Sequence, residues 1–263
     1  MKLENNIKVA WNERSKKYGK KIEGVLPKSL DPLINEYLDK WMFETIERYV
    51  EDNKKLNILD LGCGYGRLSK QIIKKFSKVK VVGIDIANSY VDIFNKTLSP
   101  RGRAYVGDIK KLPFKSGTFD LVFIATSLMY LIEKEDQVSC IKEVRRVLKE
   151  KGNFVIIERN PVGHRIITFG GLVSILRGQK YKEIPSVSFK KRYLKSVLEK
   201  NLGKVVQVGG IPIWTLTLPI QILLLKVDKS LTRNFLKMIY YFDRKVKNLE
   251  RLSLYISYTG FKK

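Results

Sequence analysis

Asn57-Ile-Leu-Asp60-Leu-Gly62-Cys-Gly64-Tyr-Gly66-Arg-Leu-Ser69 is the stretch whose reading decides the fold. Ile58, Leu59 and Leu61 make a short apolar run, the pattern of a strand buried on both faces. Asp60 interrupts that run just before three glycines on alternate positions. From Arg67 the apolar residues change to helical spacing, at Leu68, Ile72, Ile73 and Phe76. A strand, a glycine turn and a helix N-terminus together suit a nucleotide-like ligand, because the backbone can approach it closely and offers unpaired N–H groups. The spacing departs from two common versions of that arrangement. The dinucleotide fingerprint has its third glycine one residue later, and no Gly-Lys-Ser/Thr of a phosphate-cradling loop follows. Asp60 would repel a pyrophosphate and suits a ligand carrying positive charge, such as a sulfonium or an ammonium.

Outward from this stretch the chain alternates between strand and helix patterns. Strands are expected at 57–61, 79–84, 103–106, 119–125 and 153–158, and helices at 67–76, 88–98 and 135–149. Such alternation implies right-handed parallel crossovers and a doubly wound α/β sheet. Ligands of such sheets sit beyond the C-terminal strand ends, where strand order reverses. Asp60, Asp85, Asp108 and Ala125 all fall at those ends. Each aspartate has a local alternative, as a helix cap or a turn former. Their recurrence at three successive strand ends favours one shared site. Asp85 lies 23 residues after Gly62, and a carboxylate there can accept both hydroxyls of a ribose.

At this point the chain resembles the class I S-adenosylmethionine-dependent methyltransferases, of the type 11-like small-molecule kind. Asp60-Leu-Gly-Cys-Gly-Tyr-Gly66 is similar to their first motif, and Val81-Val-Gly-Ile-Asp85 to their second strand. Val106-Gly-Asp-Ile109 and Phe119-Asp-Leu-Val-Phe-Ile-Ala125 are similar to the segments around strands 3 and 4. Four motifs in order cover roughly residues 55–160. The resemblance implies a Rossmann-like, seven-stranded sheet, mostly parallel, whose last strand (here Leu252 to Thr259) is antiparallel. It implies S-adenosylmethionine as cofactor and no metal. Asp60 and the backbone of Gly62, Gly64 and Gly66 would hold the methionine end and Asp85 the ribose. Ile86, Asp108 and Ile109 would form the adenine slot, with Ala125 at the fourth strand end. Residues 1–50 resemble the helical lid of such enzymes, with Tyr18 closing over the cofactor; the alternative is that Tyr18 only packs the helix onto the domain. Residues 51–263 would form the cofactor-binding domain, with insertions at 160–186 and 211–250.

The acceptor is less legible. Thr126-Ser-Leu-Met-Tyr-Leu131 replaces the Asn/Asp-Pro-Pro-Tyr of amino methyltransferases, and no Pro-Cys pair for attack on cytosine is present. Cys140 falls on an apolar-periodic helix position and reads as core. Tyr130, His164 and Glu158 are the candidate acid–base residues, each with a bland alternative as a surface or ion-paired group. Methyl transfer from a sulfonium to an ionised nucleophile needs little beyond alignment and desolvation, so a missing base is compatible with the reaction.

Lys and Arg number 51 against 26 Asp and Glu, a formal charge of +25, which points to a polyanionic partner beyond what an AT-rich genome explains. Two cysteines in different elements favour a reduced, cytoplasmic setting, and the Lys/Glu/Asn-rich N-terminus shows no secretory signal. Within 211–250, Ile220, Leu223, Leu224, Val227, Leu231, Phe235, Met238 and Phe242 recur at helical spacing among Lys226, Lys229, Arg233, Lys237, Arg244, Lys245 and Lys247. With Trp214 near one end, this reads as a helix lying in the plane of an anionic membrane; the alternative is a helix packed on the domain. The acceptor expected is a small or lipid-like molecule met near a membrane. The competing readings are an RNA methyltransferase with a basic surface and a non-catalytic, partner-binding protein of the same fold.

Overall fold

The computed structural model describes residues 2–28, 30–169 and 184–263. The Asn57 stretch becomes β1 (Leu56–Leu61), a glycine turn and α3 (Arg67–Lys75), preceded by α1 (Lys2–Tyr18) and α2 (Pro32–Glu47). Beyond it run β2 (Val79–Asp85), α4 (Asn88–Leu98), β3 (Gly102–Val106), β4 (Phe119–Ala125), α5 (Lys134–Val147) and β5 (Leu148–Arg159). Next come α6 (Pro161–Phe169), α7 (Lys191–Asn201) and β6 (Gly203–Gly210). The chain closes with α8 (Pro212–Leu216), α9 (Leu218–Val227), α10 (Lys229–Asp243) and β7 (Tyr255–Lys262).

The strands form one sheet in the order β3-β2-β1-β4-β5-β7-β6. Neighbours from β3 to β5 pair in parallel, whereas β7 runs antiparallel to both β5 and β6. This is the expected seven-stranded, doubly wound arrangement. Its last strand starts at Tyr255, later than the expected Leu252, because Glu250–Leu252 form a 3₁₀ turn. Strand order reverses between β1 and β4, so the crevice for a ligand opens beyond Asp60 and Ala125.

Successive strand residues feed opposite layers, as the pleat requires. Ile58, Phe123 and Val155 join a core with α2, α3 and α4, while Leu59, Ile124 and Ile156 join another with α5 and α7. Cys140 is buried in that second layer. Helix α2 shows how directly sequence sets an element: Asp31 accepts the Leu33 N–H at 2.9 Å, Pro32 opens the helix, and Ile34, Leu38, Met42 and Ile46 bury one face.

The 211–250 insertion departs from expectation in two respects. Its apolar run does not form one helix, because Asp228 stops it. That side chain accepts the Leu231 N–H at 2.6 Å and caps α10, so α9 and α10 become two helices. Trp214 is not at an interface but fully buried, stacked 6.0 Å from Tyr37. Asp243 clamps the insertion to α2: its carboxylate accepts the Tyr37 hydroxyl at 2.7 Å and the N–H groups of Ile213 and Trp214 at 2.8 and 2.9 Å. The inward face of α10 carries Thr232, Leu236, Ile239 and Asp243. The expected stripe therefore points away from it, with Ile220, Leu223, Val227, Leu231, Met238 and Phe242 exposed. No described helix is long and apolar enough to cross a membrane. Of the expected 160–186 insertion, residues 161–169 form α6, and 170–183 lie outside the described residues.

Candidate active site at the strand ends

The turn after β1 is built from backbone shapes that side chains disfavour. Gly62 has φ +74°, and a Cβ there would sit 1.9 Å from the Ser127 Oγ. Gly66 has φ +82° and starts α3 against Phe94 and Leu98. Between them, Gly64 presents its N–H to Asp85, whose other carboxylate oxygen accepts the Ala87 N–H. The β1 and β2 ends are thus locked together through one carboxylate, at 2.7 and 2.9 Å.

A cavity of about 540 Å³ opens above this turn. That volume is within the range of roughly 300–1,000 Å³ that small-molecule and cofactor sites occupy. It brings together Asp60, Gly62, Gly64, Asp85, Ile86, Asp108, Ile109, Ala125 and Tyr130. Two other residues of the expected cofactor set lie elsewhere. Gly66 is turned into the α3–α4 packing. Tyr18 ends α1 and its Cβ would crowd any side chain at Gly24, so it packs the helix down and Trp11 takes its place at the cavity. Asn12 helps fix α1 there by accepting the Asn88 N–H at 3.1 Å.

Trp11 stands edge-on to Tyr130 with ring centroids 5.0 Å apart, and Tyr90 completes an aromatic wall, its hydroxyl donating to the Gly24 carbonyl at 2.9 Å. Tyr65, in the glycine turn, packs its ring 6.1 Å from that of Tyr90. Tyr90 was not legible as a site residue, since a tyrosine on the apolar face of a helix reads as core. Thr126 is also new: it has φ +63°, unusual for a β-branched residue, and it follows β4 directly at the cavity.

Charge divides the cavity. Asp60 is buried, and its carboxylate accepts the Ser69 hydroxyl at 2.6 Å. Burial pushes its pKa up to about 7, opposed by that hydrogen bond and by Arg67. Burial likewise raises Asp85. A buried carboxylate short of positive charge is what a cationic ligand would compensate. Asp108 is exposed at the rim, where it accepts the Lys110 N–H at 2.8 Å and closes a turn while still lining the cavity. These features fit S-adenosylmethionine: acids for the sulfonium and ammonium ends, Asp85 for ribose, and Ile86 and Ile109 as apolar walls.

A second cavity, of about 130 Å³, abuts the first, and Val25, Thr126 and Tyr130 line both. Among the candidate acid–base residues, Tyr130 stands at this junction and His164 lines the smaller cavity. Glu158 lines neither. It is buried beneath the turn after β4, accepting the N–H groups of Leu128 and Met129 at 2.8 and 3.2 Å, with its pKa pushed to about 8 by burial. Its position makes it a support for the turn rather than an acid or base. Among the described residues no cluster of His, Cys, Asp and Glu could hold a metal ion.

Residues 58–152 match a family described as "Methyltransferase domain". The chain is 32% identical over 122 residues to a demethylmenaquinone methyltransferase of Thermotoga maritima, covering 46% of this chain and 51% of that protein. It is 27% identical over 228 residues to a ubiquinone/menaquinone biosynthesis C-methyltransferase of Geotalea uraniireducens, covering 76% and 94%. The chain thus spans about half the length of the curated relatives that it matches at 32% identity, or less. In fold it is similar to the magnesium protoporphyrin IX methyltransferase of Synechocystis, with TM-score 0.64, 14% identity and coverage of 99% and 100%. With the motif order and the sheet topology, these matches make residues 58–152 similar to a methyltransferase domain and give the chain the fold of the class I S-adenosylmethionine-dependent methyltransferases.

Proposed function

We propose that the protein transfers a methyl group from S-adenosylmethionine to a small, lipid-like acceptor at an anionic membrane surface. One observation carries the reading. A cavity of cofactor size, with Asp60, Asp85 and Asp108 in its wall, meets a second, smaller cavity through Val25, Thr126 and Tyr130. The cofactor supplies an electrophilic methyl group on a sulfonium. Asp60 and Asp85 would hold its charged end and its ribose, and Ile86 and Ile109 would flank the base. Trp11, Tyr90 and Tyr130 keep water from the region where the methyl leaves, which strengthens every electrostatic contact there. Met129, Leu254 and Tyr255 give the acceptor an apolar seat on the other side. Relatives named for demethylmenaquinone and for ubiquinone/menaquinone biosynthesis support an acceptor of this kind.

The membrane part rests on α9 and α10. Val227 and Leu223 are 76% and 62% exposed, and Lys226, Lys229, Arg233 and Lys237 are exposed on the same two helices. Each cation near an anionic surface contributes about 1 kcal/mol. The test is flotation with phosphatidylglycerol vesicles against phosphatidylcholine vesicles. The protein should float with the former, and Leu223→Glu with Val227→Glu should abolish it without moving the melting temperature, because both side chains face out. Equal flotation of the double variant, or steeply salt-sensitive RNA retention with no vesicle binding, would refute the membrane reading. The transfer itself is tested with labelled S-adenosylmethionine and a membrane lipid extract: label should enter an extractable apolar product, and no incorporation would refute it.

A further inference from the structure

We propose that the Thr126 hydroxyl donates a hydrogen bond to an oxygen at the reacting end of the acceptor and holds it where the two cavities meet; this rests on the methyltransferase reading above. The cavities share three lining residues, Val25, Thr126 and Tyr130, so a methyl group passing from one to the other passes beside them. Thr126 stands there in a conformation that its own side chain opposes, at φ +63°. A β-branched residue in the left-handed region persists only where its surroundings over-determine it, and such residues gather at functional sites. The surroundings do so here. The Thr126 N–H donates to the Ile157 carbonyl at 2.8 Å, and the hydroxyl of the next residue, Ser127, donates to the Gly62 carbonyl at 3.3 Å. Just beyond, the buried Glu158 carboxylate accepts the N–H groups of Leu128 and Met129, at 2.8 and 3.2 Å.

The same bonds consume the donors of the turn. Glu158 takes the Ser127 N–H as well. Through residues 126–129, the Thr126 hydroxyl is then the one donor without a hydrogen-bond partner among the described residues. Glycine would adopt this backbone at no steric cost and asparagine at a lower one, but glycine brings no hydroxyl. A donor kept at a strained position, on the border of both cavities, is placed to meet whatever the smaller cavity delivers to the larger. The hydroxyl is neutral and stays so, and in this role Thr126 neither gains nor loses a proton. It orients the acceptor and does not act as its base. Fixing one oxygen fixes the approach of the atom beside it, and orientation is where a positioned group lowers the barrier to transfer.

The test uses the full chain and three variants. It combines initial rates of label transfer from S-adenosylmethionine to a membrane lipid extract, calorimetry with S-adenosylhomocysteine, and thermal melts. Thr126→Val keeps the branched shape and removes the hydroxyl. Its rate should fall about tenfold or more while S-adenosylhomocysteine affinity stays within about twofold of the parent. Thr126→Ser restores the hydroxyl and should hold the rate within about threefold. Thr126→Gly should lose the rate as Val does, yet melt no lower than the parent and up to roughly 4 °C higher, because the strain leaves with the side chain. A residue of structural use alone would tolerate Val, which fits where Thr does. A parental rate in Thr126→Val, equal losses in the Val and Ser variants, or a lower melting temperature in the Gly variant would overturn the proposal. Weaker S-adenosylhomocysteine binding by Thr126→Val would overturn it too, by giving the hydroxyl to the cofactor. Absence of label transfer by the parent chain would instead overturn the methyltransferase reading, and this assignment with it.

Discussion

Replacing Asp60 with Asn should make the free protein more stable at alkaline pH and a poorer binder of its cofactor. The side chain is 3% exposed, and burial lifts its pKa from the ordinary 3.8 to about 7. Keeping it ionised in the folded protein therefore costs up to about 4 kcal/mol relative to the unfolded chain. The sign follows from proton counting. Between pH 4 and 7 the folded state holds the proton that the unfolded state has released, so stability falls as pH rises through that window and levels off above it. Asn keeps an acceptor for the Ser69 hydroxyl and carries no charge; its new amide hydrogens can face the cavity that Asp60 lines. Allowing for imperfect placement of that amide, we expect a gain of about 2 kcal/mol at pH 8.5, or roughly 4–8 °C in melting temperature, and little difference near pH 4. Thermal melts of both proteins across pH 4–9 read this directly. Parallel curves for the two proteins would refute the reasoning, as would a variant less stable at pH 8.5.

Other expectations concern the scaffold around the site. Gly62→Ala should abolish cofactor binding, because its Cβ would lie 1.9 Å from Ser127 Oγ on a backbone at φ +74°. Adding Ser127→Gly should restore part of the binding measured by calorimetry, leaving only the cost of the left-handed backbone. Asp243→Ala should cost about 2–5 kcal/mol by denaturant unfolding, since Tyr37, Ile213 and Trp214 would lose their shared acceptor. A loss below 1 kcal/mol would show that water replaces that carboxylate.

The parts of the fold legible in the sequence were those written in periodicity and turn chemistry. The parallel strands, the helices between them and the glycine turn each announced themselves locally, and register then brought Asp60 and Asp85 to one crevice. The misses arose where a polar side chain served the structure in a place that pattern rules assign to solvent or to catalysis. Asp228 sat inside an apolar stripe and read as continuous helix, yet its carboxylate caps the next one. Asp243, polar by type, faces inward because Tyr37, Ile213 and Trp214 donate to it, and Thr232 is buried with its hydroxyl satisfied by the Asp228 carbonyl of its own helix, while apolar residues of that helix face outward. Glu158 stood at a strand end like a catalytic acid, but the backbone of Leu128 and Met129 occupies it. Trp11 and Tyr18 share a helical spacing that says nothing of which end of α1 reaches the cavity. Arg14 and Arg159 belong to distant segments, and only the folded chain places them in one wall.

The account depends most on a cationic nucleoside lying across the ends of β1, β2 and β4, held by Asp60 and Asp85. Calorimetric titration of S-adenosylhomocysteine into the protein and into Asp85→Ala tests it most directly. Saturable one-to-one binding to the parent chain, weakened by a factor of roughly a hundred or more in a variant that keeps its circular dichroism, is the expected result. No binding to the parent chain, or equal affinity in the variant, would contradict it.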